Sequence, residues 1–142
     1  MLSFQSGEVV MEDKRLDRLF EYTKFHIGIY LSAASGLVAL IGLSAKPEGG
    51  NFINKLVGCP VALGASFVLM IIAGLAGGII ASATTKYKDY EDLWLKPQTL
   101  GILGRTWAAI EHGAFWLSVI IFSYSILSSQ AVQKWLFSCQ YV

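Results

Sequence analysis

The chain has 142 residues, of which 54% are hydrophobic and only 15% charged, and its formal net charge is +1. This length allows one domain at most, and the charged fraction lies well below the roughly 25% of an ordinary soluble domain. The near-neutral charge argues against the basic surface that binding to duplex nucleic acid requires. Cys59 and Cys139 lie far apart in the sequence and do not have the spacing of metal ligands. The apolar residues fall in long blocks, so we predict an integral membrane protein with no nucleic-acid partner and no metal site.

Residues 1–24 form a charged leader. Between Met11 and Lys24, Leu16, Leu19 and Phe20 recur at helical spacing, and oppositely charged residues stand three positions apart. We predict an amphipathic cytosolic helix that lies on the membrane surface or on a neighbouring subunit, with docking to a specific partner as the alternative. The acidic residues of the leader argue against a cleavable signal peptide; they are Glu8, Glu12, Asp13, Asp17 and Glu21.

Two apolar blocks follow the leader. Residues 25–44 carry no formal charge and cover about 30 Å as a helix, the thickness of a bilayer hydrocarbon core. Residues 45–54 contain Pro47, Gly49 and Gly50 and are predicted to form a hairpin loop. The second span, residues 56–83, exceeds the length of an upright span, and Pro60 is predicted to stand in its first turn.

The second span carries a cluster of small residues. Gly74 and Gly78 form a GxxxG pair, which Gly77 and Ala81 extend. Small side chains let helix backbones approach closely in lipid. Two interpretations remain open, packing within the subunit and a seam between subunits of an oligomer.

A charged connection precedes the third span. Tyr87, Tyr90 and Trp94 recur at helical spacing, which suits the headgroup region. The third span is predicted over residues 106–128. In the tail, residues 129–142, Val132, Trp135, Leu136 and Cys139 share one helical face, which predicts a short interfacial helix.

The basic residues predict the orientation. The leader carries Lys14, Arg15, Arg18 and Lys24, and the second loop carries Lys86, Lys88, Lys96 and Arg105, whereas the first loop has Lys46 and Lys55 and the tail has Lys134. By the positive-inside rule the N-terminus is cytoplasmic and the C-terminus outside. We expect a bacterial inner membrane, because no organelle address is visible. Cys59 and Cys139 then share the outer side, either as a disulfide or as two small apolar residues.

Polar residues inside the spans are the candidate site. Glu111 and His112 lie adjacent in the third span, and Ser118 and Ser125 follow Glu111 at heptad intervals. In the first span, His26 stands at a depth that permits contact with Glu111, and Tyr30 stands one helical turn deeper. Three interpretations remain open: hydrogen-bonded packing between helices, a proton or ion pathway, and a b-type haem held by His26 and His112.

No catalytic motif is present, so we predict that the chain is not an enzyme and needs no cofactor; Glu111 and His112 as an acid and base pair are a distant alternative. The leading hypothesis is a small membrane protein that self-associates in the lipid bilayer and forms or gates a pore or an ion or proton pathway. The alternative is an accessory or anchor subunit of a larger redox or transport complex, associated with haem or quinone. Both hypotheses rest on the arrangement of the predicted helices and not on resemblance to a known family.

Overall fold

The computed structural model describes residues 14–44, without the side chain of Ser44, and residues 55–138. These ranges form five α-helices and one 3₁₀ turn, and contain no strand beyond an isolated bridge between Pro97 and Leu103. The helices are α1 (Lys14–Ser44), α2 (Pro60–Thr84), α3 (Tyr90–Leu95), α4 (Gly104–Leu127) and α5 (Gln130–Ser138), and the 3₁₀ turn is Thr99–Gly101.

Three of these helices, α1, α2 and α4, are long and apolar enough to cross a membrane. The predicted all-helical fold with three apolar spans is therefore confirmed, while insertion into a membrane and its orientation stay predictions. The first part of the leader, the first loop and Cys139 lie outside the described residues. The hypothesis of a disulfide between Cys59 and Cys139 therefore also falls outside them.

Helix α1 joins the predicted leader and first span in one element. Its 31 residues extend about 46 Å, roughly 16 Å more than a bilayer core. Leu16 is buried in a cluster with Ala83 and Leu93, so the chain's own residues cover part of the leader's apolar face. We call this end of the bundle, where α1 begins and α2 ends, the leader end, and the opposite end the far end.

Helix α2 is the centre of the bundle. Pro60 stands in its first turn, as predicted, where the missing amide hydrogen costs no hydrogen bond. Both α1 and α4 pack against α2, whereas the backbones of α1 and α4 are close to each other at few points. Small residues make the close approach possible, because Ala73, Ala76 and Gly77 are buried at these contacts.

The core has three layers along the bundle. The middle layer joins all three spans through Tyr30 and Ala34 of α1, Met70 and Ala73 of α2 and Ala114 of α4. The layer at the far end contains Leu37, Val57 and Leu63. The layer at the leader end contains Leu16, Ala83 and Leu93, and the predicted headgroup aromatics Tyr87, Tyr90 and Trp94 pack against it.

The connection between α3 and α4 is a tight turn. Gln98 donates from Nε2 to the Leu93 carbonyl oxygen, and Leu100 and Gly101 both adopt positive φ, at 61° and 71°. Gly104 permits α4 to begin here, because a Cβ atom at this position would collide with the Leu93 carbonyl. On the exposed side of α3, the hydrogen bond between Lys96 and Asp92 raises the pKa of the Lys96 amine.

Candidate functional site

Glu111 lies inside the bundle, with its side chain 2% exposed. Helix α4 carries it towards α1 and α2, where Gly77 leaves the space that the carboxylate occupies. The hydroxyl of Tyr30 donates a hydrogen bond of 3.0 Å to Oε1 of Glu111. Burying a carboxylate between helices costs free energy. Its presence therefore indicates either a function or a satisfied polar contact between helices.

His26 is the second neighbour of Glu111. Its Nδ1 atom lies 3.8 Å from Oε1 of Glu111, and its side chain is 20% exposed. This separation permits attraction between charges but is too long for a hydrogen bond. Within the described residues Nδ1 is buried and has no hydrogen-bond partner. An oxygen of Glu111 and a nitrogen of His26 therefore face each other without a hydrogen bond between them.

His112 points to the other side of the cluster. Its Nδ1 lies 2.9 Å from the carbonyl oxygen of Ala108, and its Nε2 lies 3.4 Å from the hydroxyl of Tyr22. A carbonyl oxygen can only accept, so Nδ1 carries the hydrogen, and in the neutral ring Nε2 accepts from Tyr22. The rings of His26 and His112 are perpendicular, with centroids 6.0 Å apart. The structure thus brings together the four titratable residues that the sequence singled out.

Ser118 and Ser125 are both buried, in line with Glu111 on one face of α4. Ser118 forms a reciprocal pair with Ser66 of α2: each hydroxyl donates to the other residue's carbonyl oxygen, at 2.8 and 3.0 Å. The hydroxyl of Ser125 donates to the carbonyl oxygen of Cys59 at 2.8 Å. Both serines therefore hold α4 against α2 and its entry, and within one subunit their hydroxyls are committed to packing.

The small residues of α2 divide between two surroundings. A Cβ atom on Gly77 would lie 3.2 Å from Cγ1 of Ile27 and 3.3 Å from Oε1 of Glu111, so this glycine serves contacts within the chain. A Cβ on Gly74 would lie 3.9 Å from Cβ of Tyr30, and one on Gly78 would meet nothing within 4 Å. Ala81 is partly exposed, like Gly74 and Gly78. The seam between subunits stays a prediction for Gly74, Gly78 and Ala81.

A groove runs between α1 and α4, which both pack against α2. Near the leader end it forms a space of about 210 Å³, here named the ring pocket, lined by six aromatic side chains: Tyr22, His26, Tyr30, His112, Phe115 and Trp116. Farther along it forms a space of about 460 Å³, here named the apolar cavity, whose lining includes Ala33, Gly36, Leu37, Met70, Val119 and Phe122. Phe115 lines both spaces, so they adjoin.

Sequence reasoning did not select Tyr22, Ser66, Phe115 or Trp116. Tyr22 stands one helical turn before His26, and Phe115 and Trp116 stand one turn after Glu111 and His112, so the spacing placed them near the site. Ser66 could not be paired with Ser118 from the sequence, because their contact depends on the relative height of α2 and α4.

The described residues contain no group of three or more His, Cys, Asp or Glu side chains that could hold a metal ion. For haem, the two ring nitrogens of His112 already have the partners given above. Haem ligation by His26 and His112 stays a prediction, and absorbance at the Soret band of the purified protein tests it.

The fold and its site define an all-helical protein with three helices able to span a membrane and a buried carboxylate among them. No protein-family model, no curated protein and no solved structure matches the chain.

Proposed function

We propose that this chain is a small integral membrane protein that self-associates and forms an ion or proton pathway, with Glu111 as the group that takes up and releases the proton. One observation carries the proposal: the carboxylate of Glu111 is 2% exposed and faces the unpartnered Nδ1 of His26 at 3.8 Å. An ionisable residue inside a membrane span is a candidate functional residue by default, because a charge in the hydrocarbon region is energetically costly.

The surroundings of Glu111 support a site whose charge is set by protons. Helix α1 presents His26 and Tyr30, α4 presents the adjacent His112, and α2 presents Gly77, which has no side chain to ionise. Within the described residues the ion-pair partner of Glu111 is His26. A lysine or arginine would hold a fixed positive charge at the site, whereas an imidazole gains or loses its charge with one proton.

Self-association completes the pathway in this proposal. The cluster lies towards the leader end, and the hydroxyls of Ser118 and Ser125 are occupied by contacts with α2 and its entry. A proton leaving Glu111 towards the far end therefore travels along a boundary between subunits rather than along these serines. The groove between α1 and α4 and the exposed face around Gly78 are the two surfaces on which such a boundary can form.

The first experiment measures proton flux into liposomes that contain the purified chain and an enclosed pH-sensitive dye. We expect Glu111→Gln to reduce flux to that of empty liposomes. Glutamine keeps the shape of the side chain and an oxygen that accepts from Tyr30, but it cannot take up and release the proton. Wild-type flux in this variant would refute the pathway role.

Ser118→Ala is the matched control, since it lies on the same face of α4, is equally buried and loses hydrogen bonds to α2. We expect it to keep wild-type flux and to be less stable by about 1 kcal/mol. Equal loss of flux in both variants would mean that disturbed packing, not proton transfer, explains the effect of Glu111→Gln.

A second candidate is an accessory or anchor subunit of a larger membrane complex, and α5 favours it. None of the side chains of α5 is buried, and Trp135, Leu136 and Phe137 are consecutive and exposed. Such a helix either lies at the membrane surface or packs against another chain.

Particle mass in a mild detergent separates the two candidates. For the pathway we expect the purified chain alone to form a uniform homo-oligomer, because each subunit completes the path of its neighbour. A stable monomer, or a chain that is recovered only together with other polypeptides, would support the accessory role and contradict the pathway.

A further inference from the structure

The ring pocket and the apolar cavity together have the form of a site for an amphiphile. From Tyr22 to Leu40, the residues of α1 that line the two spaces are separated by 18 helical rises, or about 27 Å of helix. Tyr22 and the two histidines lie at the leader end of this groove. Its remaining length is lined mainly by apolar residues, together with Ser66 and Ser118, whose hydroxyls bond to each other's backbone.

The ring pocket offers aromatic faces rather than free hydrogen-bond donors. The Tyr30 hydroxyl is committed to Glu111, and the Tyr22 hydroxyl faces Nε2 of His112. The Nδ1 hydrogen of His112 is committed to Ala108. A head group with carbonyl oxygens would find few donors to bind it, and neither lysine nor arginine lines the pocket to hold a phosphate.

A carboxyl group stands behind the aromatic wall of the ring pocket. Glu111 does not line the ring pocket, but its carboxylate lies directly behind Tyr30 and His26, at 3.0 and 3.8 Å from their polar atoms. Trp116 and Phe115 form an edge-to-face pair with ring centroids 5.3 Å apart, so the pocket wall on α4 is aromatic. Aromatic faces beside a negative charge are the surroundings that bind quaternary ammonium groups.

We propose that the groove between α1 and α4 binds a lipophilic organic cation, with an ammonium head in the ring pocket and an alkyl chain in the apolar cavity. The proposal goes beyond the proton pathway, because it concerns equilibrium binding, which requires neither a gradient nor transport.

The test uses the full chain in lipid nanodiscs and radiolabelled decyltrimethylammonium below its micelle concentration, measured by equilibrium dialysis. Empty nanodiscs of the same composition correct for partitioning into lipid. We expect saturable binding to the protein that decyl sulfate, which has the same chain and the opposite charge, does not displace. Tetramethylammonium, which lacks the chain, should compete only weakly.

Two substitutions test the two parts of the site. Trp116→Ala removes an aromatic face of the ring pocket, and Gly36→Leu fills the apolar cavity, where a Cβ atom meets nothing within 4 Å. Each should weaken binding by roughly tenfold. Gly28→Leu is the matched control: it places the same side chain on an open position of α1 that lines neither space, and should bind as the wild type does.

Three outcomes would overturn the proposal: equal binding to empty nanodiscs, displacement by decyl sulfate as effective as by the cation itself, or wild-type affinity in Gly36→Leu. None of them depends on proton flux. Conversely, wild-type proton flux in Glu111→Gln would refute the pathway but would not change the cation binding measured with the wild-type chain, so the failures of the two proposals can be distinguished.

Discussion

Gly77→Leu is expected to disrupt the bundle at the candidate site. The added side chain would begin 3.2 Å from Ile27 and 3.3 Å from the Glu111 carboxylate, so α1 and α4 would have to move away from α2. Overpacking of a tight core costs on the order of 1 to 3 kcal/mol, and here the displaced neighbours include a buried carboxylate that would lose its contact with Tyr30. A fall in the thermal unfolding midpoint in detergent, followed by circular dichroism, is the measurement.

Gly78→Leu is the matched control for this prediction. It lies one position farther along α2, gains the same helix propensity, and a Cβ atom there meets nothing within 4 Å. We expect the unfolding midpoint to equal or exceed that of the wild type. If subunits meet through Gly78, the same variant should lose self-association while each subunit stays folded. Equal destabilisation by both substitutions would contradict the assignment of Gly77 to the interior face of α2.

The fold was largely predictable because long apolar blocks and Pro60 mark the spans directly in the sequence. The boundary between the leader and the first span was less clear, since charge changes at Lys24 while helical periodicity continues through it, and the structure has one helix there. Burial of Leu16 against Leu93 depends on where α3 folds back, and no local pattern specifies that position.

In the candidate site, too, some features followed from the sequence and others depended on how the helices pack. The depth of His26 and Glu111 in their helices permitted a contact between them, because the rise of a helix converts residue number into height. Glu111, Ser118 and Ser125 follow one another at heptad intervals, and all three are buried. Whether the line of these three residues faces a water-filled pathway depends on which residues of the other helices lie opposite it. The reciprocal bonds of Ser118 with Ser66 are properties of two helices in register, and they favour packing for this part of the line.

The GxxxG pair of α2 does not identify the face of the helix that packs inside the subunit. Gly74 and Gly78 fit the pattern, yet of these neighbouring glycines Gly77, which stands between them, makes the closest contact inside the subunit. A run of small residues covers several faces of a helix, so the sequence identifies a helix suited to close approach without specifying which face is used.

A fully apolar version of the cluster should separate stability from function. In the triple variant His26→Phe, Tyr30→Phe, Glu111→Met, every polar member of the buried contact is replaced by a side chain of similar volume. Exchanging a whole buried polar network for apolar residues is commonly neutral or stabilising, by about 1 to 4 kcal/mol, because no group is left without a partner. We expect an unfolding midpoint at or above that of the wild type, together with proton flux no greater than that of empty liposomes.

Glu111→Met alone is the informative comparison for the triple variant. It leaves the Tyr30 hydroxyl buried without its acceptor and Nδ1 of His26 without its facing carboxylate, which should cost about 1 to 3 kcal/mol. The expected order of unfolding midpoints therefore places the single variant below the triple one. A triple variant less stable than Glu111→Met would mean that the cluster stabilises the fold, and the packing interpretation would then suffice. The predicted order would instead show that the fold does not need this carboxylate, which is what the proposed proton pathway requires of Glu111.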